Sequence, residues 1–158
     1  MATVQKFEDL ICWQRSRELV REVYKALANC RDNGFRDQIQ RAAVSVMSNI
    51  AEGFESGTKQ EFLNYLYIAK ASAGEVRAQT YVASDVGYID ISTFKHLNNL
   101  AEQCSRLIAS FTAKLKTGGL AGEQRRPGRS REEVILEEIM EERGYVMTPQ
   151  GVKKKTDI

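Results

Sequence analysis

The residues able to do chemistry are few. Glu52 and Glu75 could form a general acid–base pair, in which one carboxyl donates a proton and the other accepts one. Nothing near either residue in the chain sets their pKa values apart, which such a pair needs. His96 is the single histidine, so a multi-histidine metal centre is excluded and imidazole catalysis would rest on one ring. Cys12, Cys30 and Cys104 are odd in number and form no Cys-x-x-Cys pair, which argues against a disulfide framework and against zinc. They fit a reducing compartment. Cys104 falls on an apolar helical stripe and reads as a small core residue. The expectation is a chain with no catalytic residue, no cofactor and no metal.

A second constellation is polar rather than catalytic. Gln38, Arg41, Ser45, Asn49 and Glu52 step by three, four, four and three, so they share one helix face beside an apolar stripe. Ser72 and Glu75 form a similar patch further on. One reading is a buried or subunit-facing hydrogen-bond network that fixes helix register. The other is a ligand site. No activated nucleophile or metal-ligand set accompanies the stripe, so the structural network is the expectation.

Basic residues supply a third kind of chemistry, contact with phosphates. Arg36, Arg41, Lys59, Lys70 and Arg77 lie in or near the second and third helical segments. Arg125, Arg126, Arg129 and Arg131 cluster beyond the fourth, and Lys153, Lys154 and Lys155 form a run near the end. In the first segment, Arg17 sits beside Glu18 and Arg21 beside Glu22, which reads as an ordinary solvated face. Singly, each cation is expected at a solvated surface. Repeated in an oligomer, the set would make an electropositive surface.

These side chains need elements to hold them, and the pattern is helical throughout. The only prolines are Pro127 and Pro149, so the chain before them can form long uninterrupted helices. A first helix is expected from about Asp9, as N-cap, to Arg31, with Trp13, Leu19, Val20, Val23, Tyr24 and Leu27 on one side. Asp32, Asn33 and Gly34 predict a turn. A second helix should run from Arg36 to Glu52, with Gly53 as its stop. Thr58 and Glu61 form a capping box for a third, ending at Gly87. A fourth begins near Ser92 and ends at Gly118–Gly119. Short connections imply antiparallel neighbours, hence an all-α, up-down-up-down four-helix bundle.

The rest of the chain differs in composition. The expected division is a bundle over 1–117, a basic flexible linker over 118–131, and a short acidic helix with a basic tail over 132–158. Ser130 and Glu133 suggest a cap for that helix. Val134, Ile135, Leu136, Ile139 and Met140 are its apolar residues; the helix either folds back on its own bundle or docks into a partner groove, and the Gly/Arg tether favours docking. No fixed structure is expected from Tyr145 onward.

Composition bounds what remains. The 158 residues suit one domain. The 23 basic and 21 acidic residues nearly cancel, so overall charge does not itself imply nucleic-acid binding. No segment has the length and apolarity of a membrane span or a signal peptide, so a cytoplasmic location is expected, with neither a membrane nor a small-molecule substrate as partner.

Several ordered motifs now coincide. Phe7-Glu-Asp-Leu10 with Trp13, Gln38-x-x-Arg41-Ala-x-x-Ser45, Asn49-Ile-Ala-Glu-Gly53, Glu61-Phe62, and Ile68-Ala-x-x-Ser72-x-x-Glu75 occur in sequence. Together they resemble the bacterial four-helix-bundle proteins encoded in intervening sequences of large-subunit ribosomal RNA genes. That family includes the accessory variability determinant of diversity-generating retroelements. The likeness spans about Phe7 to Leu115. It implies a non-enzymatic, ring-like homopentamer in which Gln38, Arg41, Ser45, Asn49, Glu52, Ser72 and Glu75 serve architecture. Retroelement members imply a positively charged assembly that binds a reverse transcriptase and RNA or DNA. This chain is less basic than those members, and its tail from Thr117 lies outside the shared pattern. The alternative is a protein–protein adaptor that displays its C-terminal helix without binding nucleic acid.

Overall fold

The computed structural model of the chain describes residues 4–118, 131–148 and 151–157. Four helices dominate: α1 (Ile11–Ala26), α2 (Asn33–Glu55), α3 (Lys59–Asp85) and α4 (Ile91–Lys116). Each packs against its sequence neighbour, and α4 closes the ring onto α1. Side-chain ties fix the directions. Lys59, at the start of α3, donates to the Lys116 carbonyl at the end of α4. Tyr88, just beyond α3, donates to Asp32, just before α2. Consecutive helices are therefore antiparallel, and the all-α bundle expected from the sequence is the fold.

The apolar stripes meet along the axis. Leu19, Val23, Ile39, Val46, Ile50, Phe62, Leu66, Val76, Leu97, Ile108 and Leu115 are fully buried. At roughly 1.5–3 kcal/mol for each large side chain removed from water, this shared core outweighs any single polar contact. The T-shaped pair of Phe62 with Phe54 and the tilted edge contact of Phe62 with Phe111 tie α2, α3 and α4 together near one end.

The helix ends follow local chemistry, and several differ from the sequence expectation. Asp9 does not cap α1. A 3-10 turn at Phe7–Asp9 comes first, and the cap position falls to Leu10, which has no side-chain cap bond. Burial of Leu10, with Phe7 against Trp13 at 5.1 Å, anchors this entry instead. Helix α1 also ends earlier, at Ala26. Asp32 accepts from the Phe35 N–H at 3.0 Å, so Asn33 and Gly34 form the first turn of α2 rather than a free turn. Thr58 and Asp90 cap α3 and α4 in the same way.

Gly87 does end α3. Its φ is +79°, the Gly87 N–H bonds the Ser84 carbonyl, and the Tyr88 N–H bonds the Ala83 carbonyl, which is a Schellman motif. Gly53 does not end α2. It lies inside the helix, which continues to Glu55. A Cβ there would stand 2.5 Å from Phe62 Cδ2 and 2.8 Å from Tyr65 Cβ. The glycine is a site of close approach between α2 and α3, not a stop.

Beyond the bundle, α5 (Arg131–Glu142) forms as expected and ends at Gly144, whose φ is +77°. The final stretch differs from the sequence expectation. Strands β1 (Tyr145–Thr148) and β2 (Gly151–Lys154) pair antiparallel, Tyr145 with Lys154 and Thr148 with Gly151. Tyr145-Val-Met-Thr is rich in strand formers, and pairing satisfies backbone groups that charge composition alone ignores. The Lys155 N–H closes the unit on the Gly144 carbonyl at 2.8 Å.

Candidate functional site

The polar stripe of α2 reaches α3 at Ser45. Ser45 and Ser72 hydroxyls are 2.9 Å apart, so the two patches seen separately in the sequence meet. Asn49 donates to both the Ser45 carbonyl, at 2.8 Å, and the Ser45 hydroxyl, at 3.0 Å. Gln79 donates to Glu75 at 3.1 Å. Ser72 and Gln79 are buried, Ser45 and Asn49 half-buried. Toward one end the stripe opens into a groove lined by Gly34, Asp37, Gln38, Arg41, Ala42, Ser45 and Glu75. Gln38, Arg41, Glu52 and Glu75 are exposed along this face.

The network joins α2 to α3 through the Ser45–Ser72 bond. Its members are hydroxyls, amides and exposed carboxylates, with neither thiol nor imidazole among them. Among the described residues, no group of three or more His, Cys, Asp or Glu could hold a metal ion, and no helix is long and apolar enough to cross a membrane. His96 sits away from the stripe, 3.3 Å from Glu22 between α1 and α4. The two buried thiols also lie between α1 and α4. Burial pushes Cys12 up to about 12 and Cys104 up to about 11, so both stay protonated and unreactive near neutral pH.

The cations expected to meet phosphates are scattered. Arg41 is exposed in the groove and Lys70 is exposed on α3. Arg36 donates to the Cys30 carbonyl at 3.0 Å, which ties the α1–α2 connection. Lys59 is engaged with the Lys116 carbonyl. Arg77 is half-buried, with Nε out of water and without a hydrogen-bond partner. In the C-terminal unit Lys155 pairs with Glu141 at 3.4 Å, and Lys153 and Lys154 lie on β2. Arg125, Arg126, Arg129 and the Ser130 cap fall outside the described residues, as do the side chains of Arg131 and Val134. Of the docking residues expected on α5, Ile135, Leu136 and Ile139 are exposed and Met140 half-buried.

One feature of this side escaped the sequence reading. Gly74 lies mid-helix in α3, and a Cβ there would meet none of the described residues within 4 Å. Around it the outer surface of α2 and α3 exposes Val44, Tyr67, Ile68, Tyr81 and Val82, with Ile68 half accessible at 50%. Ala71 and Ala78, one turn to either side of Gly74, are exposed on the same stripe.

The family description "23S rRNA-intervening sequence protein" matches residues 8–110. A solved structure of a protein with unknown function from the S23 ribosomal protein family of Bacteroides thetaiotaomicron VPI-5482 is similar, with a TM-score of 0.61 at 24% identity. The similarity covers 65% of this chain and 98% of that one, and it shows the fold. No curated protein matches the chain.

Proposed function

Because the chain belongs to the 23S rRNA-intervening sequence protein family, we propose that it is a non-enzymatic, self-assembling scaffold. The finer reading is a homopentamer that engages RNA, or a reverse transcriptase with its template. The observation that carries self-assembly is Gly74. A glycine inside a helix costs about 1 kcal/mol relative to alanine. At Gly53 that cost is offset by close packing on Phe62 and Tyr65. At Gly74 nothing among the described residues requires it, while Ala71, Ala78, Ile68 and Val82 expose a small-residue, apolar surface around it. A second copy packing closely on α3 explains both the glycine and the exposed apolar side chains. The Ser45–Ser72–Asn49 network then fixes the register of α2 against α3 within each subunit.

Light scattering on the purified chain tests this. The expected mass is five times that of the 17.8 kDa chain. Gly74→Leu, which places a bulky side chain on the same surface, should shift the mass toward a single chain with helicity retained. A native protein that stays monomeric at tens of micromolar would remove the scaffold reading.

A further inference from the structure

The positive charge of the bundle is concentrated on one side. Helices α1 and α4, which pack against each other, carry Arg15, Arg17, Arg21, Lys25, Lys95, Arg106, Lys114 and Lys116 against only Glu18, Glu22 and Glu102. Helices α2 and α3 carry Arg36, Arg41, Lys59, Lys70 and Arg77 against Asp37, Glu52, Glu55, Glu61, Glu75 and Asp85. A chain that is nearly neutral overall is therefore polarised across its width.

The ion pairs sharpen this difference. Residues adjacent in sequence do not face each other on a helix, whereas those three or four apart do. Glu18 pairs with Arg15 at 2.6 Å, not with Arg17. Glu22 meets His96 at 3.3 Å, not Arg21. Glu102 is taken by Arg106 at 2.7 Å. All three acids of the two helices are thus engaged elsewhere. Among the described residues, Arg21, Lys25, Lys95 and Lys114 have no carboxylate within ion-pair distance, and all are exposed. Exposed Arg17 lies over the Trp13 ring, 5.8 Å from its centre, which leaves its charge uncompensated.

Their arrangement is regular. Arg17, Arg21 and Lys25 recur every fourth residue, about 6 Å apart along the axis. Lys95 and Lys114 share the outer stripe of α4 with exposed Asn99 and Ser110, neutral groups able to hydrogen-bond phosphate or sugar. A shallow groove lined by Lys25, Ser92, Thr93 and His96, together with the His96-bonded Glu22, joins the two helices at one end.

We propose that the outer surface of α1 and α4 is the face that meets an RNA phosphodiester backbone. The proposal rests on the reading that the protein engages RNA, and it moves the contact away from the α2/α3 cations and the tail. Contact is sequence-independent, made by point charges along a row, and each neutralised phosphate releases counterions. The α2/α3 surface, neutral and apolar, stays available for the neighbouring subunit.

The test is binding of a fluorescent 20-nucleotide oligouridylate to the full chain across a salt series. The variant R17Q/R21Q/K25Q/K95Q should retain its helicity and assembled mass. Its log–log salt slope should be shallower by about 3, since each single-strand contact contributes about 0.7. The comparison variants R41Q/K70Q and R125Q/R126Q/R129Q/R131Q should keep a slope near that of the native chain. If the α1/α4 variant binds like the native protein while the tail variant loses affinity, this assignment is overturned and the RNA reading survives. If the native protein shows no salt-dependent retention even at low salt, both are overturned. Retention of polyglutamate in place of RNA assigns the face to an acidic protein and equally overturns the proposal.

Discussion

The α1/α4 and α2/α3 halves of the bundle are built from the same kind of amphipathic helix, yet they differ inside and out. Between α2 and α3 the backbones approach until only glycine fits, at Gly53, and the Ser45 and Ser72 hydroxyls bond across the seam, with Asn49 turned onto Ser45 of its own helix. Outside, that pair shows balanced charge and exposed apolar side chains. Between α1 and α4 lie Cys12, Ser16 and Cys104, with the Ser16 hydroxyl turned onto its own helix at the Cys12 carbonyl. Outside, that pair shows unpaired cations. The same core thus supports one side suited to close packing against another surface and one suited to solvent and charge.

The largest expected effect separates the two interiors by pH. Cys12 and Cys104 hold their protons more tightly in the folded chain, at about 12 and about 11, than a free thiol near 9.0. Above pH 9 the unfolded chain sheds protons that the folded chain keeps. Stability should then fall by about 1.4 kcal/mol per pH unit for each thiol, until the folded groups ionise. Below pH 9 this contribution is fully present. Denaturant melts of the native chain and of C12A/C104A would show it as a steep alkaline loss in the first and a shallower one in the second. Equal slopes would mean that the α1/α4 interior is open to water.

The next effect tests the other seam. Gly53→Ala should lower the unfolding free energy by about 2 kcal/mol, because overpacking against Phe62 and Tyr65 outweighs the gain in helix propensity. A variant as stable as the native chain would show that α2 and α3 can part without cost. The smallest effect is the most discriminating. Gly74→Ala should raise the stability of the isolated subunit by about 1 kcal/mol, yet weaken assembly when measured by dilution. A stabilised variant whose assembly is untouched would break the contrast between a packed outer face and a charged one.

How much of this was readable in the chain depends on the range of each interaction. Thr58, Gly87 and the helix periods act within a turn or two, and the sequence shows them directly. Gly53 is ambiguous in the sequence because glycine carries two meanings, stop and close approach, and only the position of Phe62 across the seam decides between them. The Arg17–Glu18 and Arg21–Glu22 neighbours look neutralising in the sequence, but residues adjacent in sequence do not face each other on a helix. The polar stripe was visible on each helix, but the Ser45–Ser72 bond that joins the stripes depends on how far one helix slides along the other. The β1–β2 hairpin was hidden because lysines in β2 resemble a solvated tail until their backbone is paired.

The burial of two cysteines has a practical consequence. Cys30, at the end of the α1–α2 connection, is half-exposed, whereas Cys12 and Cys104 are sealed. A maleimide dye should therefore attach once per native chain, without any engineered residue. Each assembly would then carry one fluorophore per copy at equivalent positions, so stepwise photobleaching of single particles would count the subunits directly.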